Sequence, residues 1–354
     1  MRARVEPPPL DGRALTRPFL VAPARRTSYS PAMRNAPLRR RLGATDLFVH
    51  PLNLGGNVFG WTADRAASFA VLDAYREGGG NFVDTADVYS RWVPGHQGGE
   101  SEELLGAWLR ERRCRSEVVV ATKVGSGGPG LTEGLTADLI RRGCEGSLRR
   151  LGVDCIDLYY AHKDDPKTPL DETMRAFDAL VREGKVRWLG ASNYDAPRLR
   201  AALDASAQGD LAAYAVVQPE YSLVARTTLE GSLAELCRQR GLGVCTYYAL
   251  ASGFLTGKYG APGAPAGARS AAVAKYLEDP RAMRALAALR EVAAARGATP
   301  PQVAIAWQLH RPPVTAPIAS ATTPAQVTEL LGGATLTLGT DELEHLDRAS
   351  RRDG

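Results

Sequence analysis

From Leu42 onward, short apolar runs and amphipathic segments alternate eight times. The runs at 49–54, 81–84, 118–124, 156–162, 186–192, 215–218, 243–248 and 314–319 read as strands. The segments at 63–77, 102–112, 136–151, 171–182, 196–207, 229–240, 300–309 and 324–331 read as helices. Parallel strands need a crossover between them, and a helix is the usual one, so strict βα alternation dictates a parallel sheet. Eight units in roughly 310 residues predict an α/β chain of one domain, a closed (β/α)8 TIM barrel over residues 38–354. An open doubly wound sheet is the competing architecture. Its G-x-G-x-x-G turn after the first strand is missing, since Asn53-Leu54-Gly55-Gly56-Asn57 lacks the third glycine.

The chain carries a formal net charge of +5, which on its face suggests a polyanionic partner. The charge is not spread evenly. Residues 1–41 hold ten arginines against Glu6 and Asp11, a surplus of eight, and the rest carries 34 basic and 37 acidic residues. The body is therefore slightly acidic, and a nucleic-acid partner is not expected. No run of about 18 apolar residues occurs, so no membrane span is expected. Five cysteines with no C-x-x-C pair predict neither a disulfide framework nor a metal site, and fit a reducing, cytoplasmic setting. Residues 1–37 contain seven prolines and no apolar periodicity, which predicts a disordered Arg/Pro-rich extension. Met33 stands just before the ordered region and reads as the start of translation, which would leave residues 1–32 outside the native protein.

Two stretches exceed what a minimal barrel needs: residues 90–101 after the second strand and 251–275 after the seventh. Both follow strand C-termini, the face on which such barrels build their sites. Polar residues also close the apolar strands there: Asp84, Thr122-Lys123, His162, Ser192-Asn193, Gln218 and Tyr247, with Tyr89 five residues beyond Asp84. Singly, each has a plain structural reading, such as a helix cap or a satisfied barrel-top histidine. Together they match one chemistry. A lysine beside a carboxylate stays charged, and a cation beside a phenol lowers its pKa from about 10. Such a tyrosine can act as a general acid, and a neighbouring histidine can polarise a carbonyl. Reducing C=O also requires hydride, which a protein must borrow from a nicotinamide.

Six segments carry a resemblance: G-N-F-V-D-T-A-D-V-Y (80–89), A-T-K-V (121–124), D-L-Y-Y-A-H (157–162), G-A-S-N (190–193), Q-P-E-Y (218–221) and G-F-L-T-G-K-Y (253–259). In order and spacing the chain resembles the aldo-keto reductase superfamily, in the branch of bacterial oxidoreductases and potassium-channel β subunits. The resemblance implies a catalytic tetrad of Asp84, Tyr89, Lys123 and His162. Tyr89 would be the proton donor, Lys123 its activating cation, Asp84 the carboxylate holding Lys123, and His162 the group orienting the carbonyl. It implies that Ser192, Asn193 and Gln218 hold the nicotinamide carboxamide and that Tyr247 stacks on its ring. Leu250, Ser252, Gly253 and Lys258 would follow the pyrophosphate, and Thr322, Gln326 and Glu329 the adenosine end.

After the eighth strand the pattern departs from the family. Ser320 stands in place of a glycine, Thr323 in place of the basic residue and Leu330 in place of an asparagine. Arginine or lysine is the usual clamp for a 2′-phosphate. NADP(H) remains the favoured cofactor, with NAD(H) as the alternative. The substrate pocket is expected at Trp61, Trp92 and His96, whose aromatic faces suit a ring-bearing carbonyl. The expected activity is reversible NAD(P)H-dependent reduction of an aldehyde or ketone to an alcohol. The competing function is a nicotinamide-binding regulatory subunit with slow chemistry.

Overall fold

The computed structural model describes residues 38–128, 131–259 and 270–351. The expected N-terminal extension lies outside the described residues, as do residues 260–269 of the loop expected at 251–275. In chain order the strands are β1 (Arg40–Arg41), β2 (Phe48–Val49), β3 (Asn53–Gly55), β4 (Phe82–Asp84), β5 (Val119–Val124), β6 (Ser126–Gly128), β7 (Leu131–Glu133), β8 (Ile156–Ala161), β9 (Val186–Ser192), β10 (Tyr214–Gln218), β11 (Gly243–Val244) and β12 (Ile318–Ala319). Eight of them form a parallel sheet in the order β11-β10-β9-β8-β5-β4-β3-β12. The two ends of that sheet meet. Val244 accepts from Thr315 N at 2.8 Å, and Thr246 accepts from Ile318 N at 2.7 Å, which closes the barrel.

The strands alternate with period two, and this decides which side chains see the barrel axis. On β5, Val119 and Ala121 join the inner cluster, while Val120 and Val124 pack outward against helices. On β8, Leu158 and Tyr160 face inward, and Tyr159 and Ala161 outward. Continuing each inner row to the strand's C-terminus reaches Asp84 on β4, Lys123 on β5, His162 just past β8, Ser192 on β9 and Gln218 on β10. Asp84 pairs with Ala121, Lys123 with Tyr160 and Gln218 with Ser192, so the sheet register sets these groups around one mouth. A one-residue slip would turn the whole set toward the helices.

The outer layer is α1 (Arg65–Glu77), α2 (Glu100–Glu111), α3 (Ala137–Leu151), α4 (Leu170–Arg182), α5 (Ala196–Gly209), α6 (Ser232–Arg240), α7 (Ser270–Leu277), α8 (Pro280–Arg296), α9 (Pro300–Leu309), α10 (Pro324–Thr335) and α11 (Thr340–Ser350). Local signals set several boundaries. Asp64 caps α1 by accepting from Ala67 N, and Asp195 caps α5 by accepting from Arg198 N.

Three features differ from the sequence expectations. The first expected strand is divided: Phe48–Val49 pairs with Arg40–Arg41 in an antiparallel hairpin, and the barrel strand begins only at Asn53. His50-Pro51 intervenes, and the His50 N–H turns to Asn81 Oδ1 at 2.8 Å instead of continuing a ladder. The hairpin's Leu42, Leu47 and Val49 plug the N-terminal end of the barrel core. An antiparallel pair, β6 and β7, follows β5. Three helices were not expected: α7, α8 and α11.

The helix layer also yields a test of packing. Gly106 lies inside α2, where a Cβ would stand 2.5 Å from Leu151 O and 2.6 Å from Arg150 O. Alanine in a helix ordinarily gains about 1 kcal/mol over glycine. Here the clash is with backbone that cannot rotate away, so Gly106→Ala should instead destabilise by about 1–3 kcal/mol. A urea midpoint that falls with unchanged slope would bear this out; a midpoint that rises would refute it.

Candidate active site

The strand C-termini open on a cavity of about 560 Å³. Its floor holds a compact ionic cluster. Lys123 Nζ lies 2.5 Å from Asp84 Oδ2, 2.8 Å from Thr85 O and 2.8 Å from Tyr89 Oη. Tyr89 Oη donates to Asp84 Oδ2 at 3.2 Å, and Gln218 Nε2 donates to Asp84 Oδ1 at 2.8 Å. These bonds define protonation states by counting. An ammonium has three hydrogens and here finds three acceptors. The phenol donates to the carboxylate while accepting from the lysine, so it carries its proton. Lys123 and Asp84 are both about 1% exposed.

The expectation that Lys123 brings the Tyr89 pKa down toward neutrality does not hold in this arrangement. Burial, and then the Asp84 carboxylate, hold Tyr89 well above the ordinary phenol value. Asp84 is a repulsive neighbour for a phenolate, and sequence spacing alone did not reveal that it touches the hydroxyl. Burial also lowers the Lys123 pKa, against the pull of Asp84. The His162 ring packs edge-on to Tyr89 with centroids 6.2 Å apart. Its buried Nδ1 has no hydrogen-bond partner. Burial, helped by Lys123, Arg91 and Lys163, holds its pKa well below 6.5, so the imidazole is neutral at neutral pH.

A second polar group flanks this floor. Asn193, at φ 58°, donates from Nδ2 to His162 O at 2.8 Å and to Ser192 Oγ at 3.1 Å. Tyr247 Oη donates to Asn193 Oδ1 at 2.7 Å, and Ser192 Oγ donates to Gln218 O at 2.8 Å. The chain then runs through left-handed backbone at Tyr248, Ala251, Ser252 and Gly253. Non-glycine residues in that region cost on the order of 1–3 kcal/mol each and tend to cluster at functional sites. Leu250, Ser252, Gly253 and Lys258 all line the cavity. At its far end Thr322, Gln326 and Glu329 line it too, with Gln326 Oε1 accepting from Thr322 N at 2.8 Å.

Of the expected pocket residues, Trp92 lines the cavity while remaining 45% exposed. Trp61 and His96 do not line it. Trp61 lies behind Trp92, edge-on at 5.5 Å, and His96 Nδ1 faces Glu100 Oε1 at 4.0 Å. Residues to which the sequence reading gave no role also line the cavity, among them Gly55, Asn57, Tyr248, Tyr259 and Ser320. Ser320 Oγ donates to Asn57 Oδ1 at 2.6 Å, tying the first strand's exit to the eighth's. Tyr248 had a readable signal, an aromatic directly after Tyr247 at a strand end. The Asn57–Ser320 contact had none. Among the described residues no group of three or more His, Cys, Asp or Glu is placed to hold a metal ion. No helix of the described residues is long and apolar enough to cross a membrane.

The sequence matches the aldo/keto reductase family over residues 51–351. The chain belongs to this family. It is 35% identical over 300 residues to a probable voltage-gated potassium channel subunit beta of Arabidopsis thaliana, covering 82% of this chain and 89% of that one. It is 36% identical over 313 residues to the uncharacterized oxidoreductase YrpG of Bacillus subtilis, covering 86% and 94%. It is 36% identical over 281 residues to the aldo-keto reductase str7 of Strobilurus tenacellus, covering 78% of each. Within this aldo/keto reductase the ionic floor, the neutral histidine and the long cavity all sit at the C-terminal end of the barrel.

Proposed function

We propose that the protein is a cytoplasmic NAD(P)H-dependent oxidoreductase that reduces an aldehyde or ketone to an alcohol, reversibly, within a single catalytic barrel spanning residues 38–354. The observation that carries this reading is the protonated Tyr89 hydroxyl, held between the Lys123 ammonium and the Asp84 carboxylate on the cavity floor. The residues fit a dinucleotide. The cavity runs from Tyr89 to Glu329, His162 lines its catalytic end, and the buried Nδ1 of that histidine has no hydrogen-bond partner. Tyr247 would stack on the nicotinamide, beside Ser192, Asn193 and Gln218. The turn through Leu250, Ser252, Gly253 and Lys258 would follow the pyrophosphate, and Thr322, Gln326 and Glu329 the adenosine.

A nicotinamide, when bound, supplies the hydride. The chain's own residues do the rest. His162, neutral, donates a hydrogen bond to the carbonyl oxygen and fixes its orientation. Tyr89 gives its proton to that oxygen as negative charge builds on it. Lys123 stabilises the phenolate left behind, and Asp84 with Gln218 holds Lys123 in place. The exposed Trp92 and Tyr248 at the cavity mouth suit a carbonyl carried on a ring, whose faces they can cover. The substrate is a small molecule. The regulatory-subunit reading draws on the names of some relatives, but the complete ionic floor favours turnover.

The testing experiment is a panel of simple aldehydes, keto sugars and ring ketones, followed by consumption of NADPH and of NADH. Ring ketones with NADPH are expected to give the highest kcat/KM, and no turnover across the panel would defeat the reading. Cofactor preference is a separate outcome. Lys258 is the sole lysine or arginine among the described residues lining the cavity. A charged hydrogen bond contributes about 1.5–3 kcal/mol, so without a second cation the NADPH preference should be only modest. A clear preference for NADH would overturn the assignment to NADP(H).

A further inference from the structure

The segment from Asp84 to Tyr89 carries a second acid that this chemistry does not use. Asp87 is 3% exposed, and its Oδ1 has no hydrogen-bond partner. Its backbone N–H donates to Lys123 O at 3.3 Å, so it is tied to the strand position that presents the lysine. Glu102 on α2 is wholly buried with both oxygens engaged: Thr122 Oγ1 donates to one at 2.6 Å and Arg150 Nε to the other at 2.6 Å. The Arg150 charge is thus committed to Glu102, and the Lys123 ammonium is committed to Asp84. Glu102 on α2, Arg150 on α3 and Lys123 on β5 act electrostatically on Asp87, and the unpartnered Tyr159 hydroxyl on β8 feels its charge. Burial, and then Glu102, push the Asp87 carboxyl up to about 7, with Arg150 and Lys123 opposing.

We propose that Asp87 is a positioning residue for proton transfer: its charge decides how strongly Lys123 favours loss of the Tyr89 proton. The proposal rests on Tyr89 being the proton donor. An ionised Asp87 places a negative charge behind Lys123 and offsets the cation that a forming phenolate feels. A protonated Asp87 leaves the cation at full strength. Carbonyl reduction should therefore slow as pH rises through the range in which Asp87 ionises.

The test is single-turnover reduction between about pH 5.5 and 8.5, together with a carboxyl titration of aspartate-labelled protein by carbon-13 NMR. Wild type should lose roughly threefold to tenfold in rate across the neutral range. Asp87→Asn should lose that dependence. Glu102→Gln should move the fall to lower pH, because removing a neighbouring anion lowers the Asp87 carboxyl. A neutral-range fall that persists in Asp87→Asn overturns the proposal. The titration keeps the idea testable if a variant does not fold. The resonance absent from Asp87→Asn, or assigned directly in wild type, should titrate near neutrality, and one titrating at an ordinary aspartate pH overturns the proposal. Wild type that titrates as expected but turns over no carbonyl defeats the reductase reading, and the positioning role falls with it. An active wild type without the titration defeats the Asp87 proposal alone.

Discussion

Tyr89→Phe is expected to lower carbonyl turnover by about 10²–10⁴-fold while leaving the fold intact. The substitution removes one oxygen, and with it the proton that would reach the substrate. The ring remains, still edge-on to His162 and beneath Trp92. Lys123 keeps Asp84 Oδ2 and Thr85 O as acceptors, so the buried cation stays paired. Dinucleotide affinity, followed by fluorescence quenching, should change little, because none of the expected cofactor contacts involves the hydroxyl. Loss of rate with retained binding is the signature of a group that acts only in the transition state. A variant as active as wild type would rule out Tyr89 as the proton donor.

Lys123→Met is expected to damage stability as well as rate. The lysine and Asp84 form an ion pair about 1% exposed at both partners. Breaking a buried pair from one side leaves an uncompensated charge, which costs about 3–5 kcal/mol. The carboxylate left behind would retain Gln218 and Tyr89 as donors, which places the loss toward the lower end of that range. Adding Asp84→Asn should recover much of the stability, since the stranded charge is then gone, but none of the activity. Thermal melts and turnover of the single and double variants separate the two effects. If the single variant were as stable as wild type, the pair would not be the buried, ionised one described above.

Part of this was legible before any coordinates. Strand alternation made Asp84, Lys123 and His162 the last inward residues of their strands, because a period of two leaves no choice once the inner face is apolar. Tyr89 was reachable from its spacing to Asp84. Other features left little or no local trace. The helix Pro280–Arg296 carries an Asp279-Pro280 start and a Gly297 stop, yet its alanine-rich body lacks a sharp apolar stripe. Gln218 meets Asp84 across 134 residues, and Ser320 meets Asn57 across 263. Barrel closure brings such pairs together, and no window of sequence contains both members. Trp61, in the loop after the first barrel strand, and His96, in the loop after the second, show the converse, since a place on such a loop did not bring them to the cavity.

The sequence by itself determined the eightfold alternation, the polar residues closing the strands and membership of the family. All three are properties of pattern, and pattern survives without distances. Only the tertiary structure decided the electrostatics. From spacing alone, Lys123 should have pulled the Tyr89 pKa down; in the fold, burial and an Asp84 oxygen 3.2 Å away hold it up. The same burial, with Glu102 nearby, raises the Asp87 carboxyl above the usual aspartate range. A side chain's charge depends on how much water it has lost and which charges stand within a few ångströms, and the closed barrel sets both.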